Sequence, residues 1–104
     1  MFASVTYLES DMKDYIVTHT FKTEEAREQY FSMAATLNVD DIRSLLKNES
    51  ASVQMNWNAG VNDMIMYCWW KADSPEAIID TLGEMAGMFE NEIREMPDVI
   101  DLQD

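Results

Sequence analysis

Histidine, cysteine and basic residues are all scarce in this chain. A single histidine, His19, excludes metal sites built from several histidines and haem sites that need two. A single cysteine, Cys68, excludes an internal disulfide, and its apolar surroundings predict a buried, inert thiol. With 20 acidic against 7 basic residues the formal net charge is -13, which argues against binding to nucleic acid or to an anionic membrane surface. No metal site is predicted.

Glycine and proline are also few, with 3 and 2 residues respectively, too few for a flexible linker. The sequence therefore predicts one domain over residues 1–104. No apolar run approaches the roughly 18 residues of a membrane span, and "MFASVTYLESDMKD" has neither a basic leader nor a long apolar core, so we expect a cytoplasmic protein. There is no P-loop, Gly-x-Gly-x-x-Gly or Gly-x-Ser-x-Gly motif, and no cofactor is predicted.

The hydrophobic pattern predicts the order strand, helix in two pieces, strand, strand, helix, strand. The first strand is 14–21, and the helices begin after caps at Thr23, at Asn38 and at Asp73 or Ser74. In the second strand, 52–58, alternation places Val53, Met55 and Trp57 on one face. The last helix is predicted from a stripe of Ile78, Leu82, Met85, Ala86 and Phe89, and the last strand is "DVIDL", 98–102. Residues 1–13 are an extra strand or an arm.

The third predicted strand, "MIMYCWW" at 64–70, is apolar on both faces. Met66, Cys68 and Trp70 alternate with Tyr67 and Trp69. Because the small residue Ala72 continues the Met66 face into the next helix, we assign that face to the helices. A chain of this size has nothing left to cover the other face, which predicts a second copy packed against it.

This element order is the split βαβ plan. The run from "DYIVTHTF" to "VQMNWNAGVNDMIMYCWWKADSPEAI" resembles the dimeric α+β barrel superfamily of ferredoxin-like proteins, in particular small, uncharacterised dimeric members known from environmental sequence. The resemblance implies an α+β, ferredoxin-like βαββαβ fold with an antiparallel sheet. It also implies a homodimer forming a dimeric α+β barrel, with an apolar cavity between sheet and helices or between sheets. It does not imply one activity.

His19 has two interpretations, a hydrogen-bonded structural residue or a functional one, either a general base or a donor to a ligand. We expect ligand-binding residues on the His19 side of the first strand and on the Tyr67 and Trp69 side of the third. The predicted set is Tyr15, Val17, His19, Phe21, Ile65, Tyr67, Trp69 and Lys71. If the face assignment is inverted, the pocket moves to the helix side, beneath Gly83 and Gly87, with Met66, Cys68 and Trp70.

The leading functional prediction is a homodimer that binds a small hydrophobic molecule, with a fatty-acid-like head group met by Lys71, Arg43 or His19. Two alternatives stay open. One is a cofactor-independent oxygenase or isomerase of the dimeric α+β barrel type with His19 as catalytic base. The other is an interaction module without a ligand.

Overall fold

The computed structural model describes residues 12–103. The predicted N-terminal strand or arm lies outside these residues, apart from Met12 and Lys13, and Lys13 begins the first strand. The elements follow in the order β1 (Lys13–Phe21), α1 (Glu24–Ala34), α2 (Val39–Leu45), β2 (Ala51–Asn58), β3 (Ile65–Ala72), α3 (Pro75–Leu82), a 3₁₀ segment (Gly83–Met88) and β4 (Phe89–Glu95).

The three helices begin at side-chain caps that the sequence predicts. The Thr23 hydroxyl accepts a hydrogen bond from the backbone N–H of Ala26. Asn38 and Asp41 form a reciprocal capping box at the start of α2. Ser74 accepts from the N–H of Ala77, and Pro75 is the first residue of α3. Because these caps satisfy otherwise unpaired N–H groups, the helix starts are determined locally.

The four strands form one antiparallel sheet in the order β2-β3-β1-β4. β1 is central and pairs Val17 with Cys68 of β3 on one side and with Ile93 of β4 on the other. All three helices lie against the same face, which we call the helix face; the opposite face is the open face. This architecture is consistent with the predicted α+β, ferredoxin-like fold.

The core on the helix face has two separate parts. The larger one joins Val17 and Trp70 of the sheet to Ile78 and Leu82 of α3. The smaller one is aromatic, with the tilted rings of Phe21 and Phe89 at a centroid distance of 4.8 Å and Tyr30 of α1 packed against both. As predicted, Met66, Cys68 and Trp70 belong to the helix face.

The end of the chain differs from the prediction. The last helix stops at Leu82, and β4 occupies Phe89–Glu95 rather than residues 98–102. Gly83, at φ 61°, ends the helix in a conformation that favours glycine. Phe89 fits a helical stripe but also the period-two alternation of "FENEIRE", and pairing with Phe21 of β1 selects the strand. Val99 and Ile100 remain exposed and outside the sheet.

The side-chain pattern of β2 also needs correction. Its register shifts between Val53 and Met55, so that Val53 is opposite Trp70 while Met55 is opposite Trp69. Val53 therefore belongs to the helix face, whereas Met55 and Trp57 belong to the open face. The single face predicted for these three residues is wrong, because a bulge inserts one residue into the alternation.

We expect Gly83→Ala to lower the free energy of unfolding by about 1–3 kcal/mol, because Gly83 has φ 61° and ψ -131°, a region that L-residues avoid. Urea unfolding followed by tryptophan fluorescence measures the change. Gly87→Ala is the matched control, since Gly87 lies in the same segment without a positive φ. A Cβ would meet nothing within 4 Å at either position. Equal losses in the two variants would contradict the conformational explanation.

Candidate functional site

A cavity of about 360 Å³ separates the helix face of the sheet from the helices; we call it the helix-side cavity. Its sheet wall includes His19, Met66, Cys68 and Trp70. Its other wall comes from the helices and the 3₁₀ segment, with Tyr30, Val39, Ile42, Leu46, Leu82 and Met85. The volume lies in the range of about 300–1,000 Å³ that is typical of small-molecule sites. The lining is mainly apolar.

The cavity exists because α1 and α2 cover the sheet incompletely. Neither helix contains a fully buried residue. Val39 and Ile42 of α2 border the cavity and remain exposed, whereas Leu46 borders it and also packs against the larger part of the core. By contrast, α3 buries Ile78 and Leu82 completely or nearly so. The gap therefore lies beside α2, between the two parts of the core.

His19 is the one buried polar side chain of the described core, with 2% of its surface exposed. Its Nδ1 lies 2.7 Å from Oδ1 of Asn91 on β4, and its ring lies 4.9 Å from that of Phe89. Burial lowers the pKa of His19, and the hydrogen bond to Asn91 opposes this shift only in part. The imidazole is therefore neutral near pH 7.

Two further polar groups border the cavity on β3 and its neighbour β2. Nδ2 of Asn56 donates a hydrogen bond to Sγ of Cys68 over 3.1 Å. Burial raises the pKa of the Cys68 thiol, while Asn56 and the nearby Trp70 indole oppose that rise, so Cys68 stays a protonated thiol. The buried indole N–H of Trp70 has no hydrogen-bond acceptor among residues 12–103.

The structure does not bring the eight predicted ligand residues together. Tyr15, Val17 and Phe21 are buried in the core, and only His19 of that strand borders the helix-side cavity. The others lie across the sheet on the open face; they are Ile65, Tyr67, Trp69 and Lys71. Met66, Cys68 and Trp70 face the helices, as predicted. The alternative pocket on the helix side was tied to the inverted face assignment; the cavity lies on that side without the inversion, and Leu82 and Met85 border it rather than Gly83 or Gly87.

The open face is apolar over β2 and β3 and charged along β4. Met55, Trp57, Ile65 and Tyr67 are each between 37% and 51% exposed. Beside them, Asp14 accepts a hydrogen bond from Trp69 Nε1 over 2.8 Å, and its carboxylate lies 3.2 Å from Lys71 Nζ. The residues of β4 on this face are Glu90, Glu92 and Arg94. Lys71 is thus paired on the open face, away from the cavity.

Residues 12–103 contain no cluster of three or more His, Cys, Asp or Glu side chains arranged to hold a metal ion. Within the same range, none of the helices has the length and apolar character needed to cross a bilayer. No profile of a known protein family, no curated protein and no solved structure matches the chain. The function must therefore be inferred from the geometry and chemistry of the helix-side cavity.

We expect the protein to lose stability as the pH falls below about 6.5, the ordinary pKa of histidine. Because the folded-state pKa of His19 is lower, the unfolded chain binds the proton more readily in the window below 6.5, and unfolding becomes more favourable there. Burial raises the pKa of Tyr30 and of Cys68, which also border the cavity, so neither of them changes charge in this window.

To test this prediction, the free energy of unfolding is measured between pH 7.5 and 5.5 in the parent and in His19→Gln. The parent should lose more stability over this interval than the variant, whose residue 19 does not titrate. Parallel pH profiles would show that His19 is not held neutral by the fold.

Proposed function

We propose that this protein binds a small, largely apolar molecule in the helix-side cavity. The observation that carries the proposal is the cavity itself, about 360 Å³ with a mainly apolar lining and one buried polar residue, His19. Protein interiors normally contain few voids larger than a water molecule. An apolar ligand would supply the contacts that the α2 residues and the sheet do not make with each other.

The neutral, weakly basic imidazole of His19 favours a binding function over a catalytic one. An enzyme of the oxygenase or isomerase type would need His19 as a general base. The lowered pKa keeps His19 unprotonated but makes it a weaker base, and the side chain that pairs with its ring is an uncharged amide, Asn91, rather than a carboxylate. A hydrogen-bonding role toward a bound molecule uses the same neutral imidazole without requiring proton transfer.

A fatty-acid-like ligand was the more specific prediction. Among residues 12–103, Arg43 is the one cationic residue bordering the cavity, since Lys71 lies on the open face. Nη1 of Arg43 is 2.6 Å from Oδ1 of Asp40, and both side chains are largely exposed. A carboxylate head group would therefore have to compete with Asp40 at the surface end of the cavity.

The proposal extends to a homodimer in which a second copy covers the open face. The exposed Met55, Trp57 and Tyr67 present an apolar surface, and the nearby Lys71 is already paired with Asp14. A two-fold related copy would present the same apolar surface and would match it in chemistry and extent. The charges of β4 would then remain at the rim.

We expect Met85→Trp to weaken the binding of 1-methylnaphthalene at least about tenfold, because the larger side chain fills the helix-side cavity. Isothermal titration calorimetry measures the dissociation constant. Met33→Trp is the matched control, because Met33 is exposed on α1 and does not border the cavity. Trp69→Ala on the open face should leave binding unchanged in samples of equal oligomeric state. Unaltered binding by Met85→Trp would place the ligand elsewhere.

We expect sedimentation equilibrium at micromolar concentration to give twice the chain mass of 12.0 kDa. Trp57→Glu should shift the protein toward the monomer, because it places a charge in the apolar part of the open face. Gln29→Glu adds the same charge on the exposed surface of α1 and should leave the dimer intact. A monomeric parent would refute the dimer while leaving the cavity proposal standing.

A further inference from the structure

The hydrogen bonds around Asn91 determine which nitrogen of His19 carries the proton. Nδ2 of Asn91 donates to the carbonyl oxygen of Ala86 over 3.0 Å. This contact orients the amide, so that Oδ1 of Asn91 is directed at Nδ1 of His19, 2.7 Å away. An amide oxygen can only accept, and Nδ1 must therefore carry the hydrogen. In a neutral imidazole the other nitrogen, Nε2, is then an unprotonated acceptor.

Nε2 has no hydrogen-bond partner among residues 12–103, and His19 borders the helix-side cavity. The groups around the imidazole do not favour its protonation. Phe89 packs against the ring, and Asn91 is uncharged. On β4 the neighbouring carboxylates, Glu90 and Glu92, belong to the open face. Burial acts in the same direction, since it lowers the pKa of His19.

We propose that the natural ligand is an uncharged apolar molecule with a hydroxyl or amide N–H group that donates a hydrogen bond to Nε2 of His19. This inference rests on the proposed binding function and narrows the class of ligand. An ionised carboxylate offers only acceptors and would face the lone pair of Nε2. The same cavity therefore discriminates against the anionic form of a molecule and in favour of an alcohol, a phenol or a secondary amide.

Asn91 is the positioning residue in this arrangement. An aspartate in its place would have nearly the same shape and would lose the hydrogen bond to Ala86, but it would put a negative charge against Nδ1. An adjacent carboxylate raises the pKa of a histidine. The protonated imidazole would then present Nε2–H, which is a donor. The substitution Asn91→Asp should thus change Nε2 of His19 from a hydrogen-bond acceptor to a hydrogen-bond donor for the ligand.

Three probes that share one ring system test the inference by calorimetry: 1-naphthol, 1-methylnaphthalene and 1-naphthoate. The parent should bind the naphthol and the methyl compound and should bind the naphthoate more weakly than either. In His19→Phe the preference for naphthol over methylnaphthalene should fall by about 2- to 12-fold, the loss of one hydrogen bond. Thermal unfolding confirms that each variant is folded.

Asn91→Asp provides a second variant whose result does not depend on His19→Phe. At pH 6.0 it should bind 1-naphthoate more tightly than the parent and lose part of the preference for naphthol. Asn58→Asp is the matched control, because it makes the same chemical change on exposed β2 outside the cavity and should match the parent.

The outcomes separate the inference from the function on which it rests. If the parent binds 1-methylnaphthalene but favours 1-naphthoate over naphthol, or if both variants keep the parent's preferences, the donor requirement is wrong and apolar binding stands. If none of the three probes binds to the folded parent, the proposed function and this inference both fail.

Discussion

The apolar character of β3 on both of its faces is the constraint on which the rest of this structure depends. β3 lies between β2 and β1, and its residues alternate Met66, Cys68 and Trp70 with Tyr67 and Trp69. The helices of one chain can cover only one face of a four-stranded sheet. They cover the first set, which is buried, and leave the second set partly exposed on the open face. The proposed dimer follows because the open face of β3 is apolar but not covered by the helices.

Cover on the helix face is itself uneven, and this unevenness produces the site. α3 seals one part of the sheet through Ile78 and Leu82, and α1 contributes Tyr30 to the aromatic part. α2 is only seven residues long and buries no side chain. Between these regions the helices of residues 12–103 leave part of the sheet uncovered, so a cavity remains where a fully packed core would otherwise continue. The short α2 therefore produces the cavity in which we propose that the ligand binds.

The surroundings of His19 are uncharged, with Phe89 and Asn91 against the ring, although the chain carries a formal net charge of -13. The acidic side chains of β4, Glu90 and Glu92, lie on the other side of the sheet from His19. The side chain that hydrogen-bonds to Nδ1 of His19 is an amide, Asn91, rather than a carboxylate. Burial keeps the imidazole uncharged, and Nε2, which has no hydrogen-bond partner among residues 12–103, is an acceptor. The acidic charge of the chain thus does not extend to the surroundings of His19.

Local chemistry in the sequence determined the helix caps at Thr23, Asn38 and Ser74, the order of elements as far as α3, and the face of β3 that turns to the helices. Each of these depends on neighbours within a few residues or on simple alternation. The position of β4 required tertiary structure, because Phe89 satisfies both helical and strand periods until it pairs with Phe21. The bulge at Gln54 likewise leaves no mark on an alternating sequence, yet it separates Val53 from Met55. The cavity and the contact between His19 and Asn91 were decided only by the fold, because they join residues 72 positions apart and depend on how far α2 stands from the sheet.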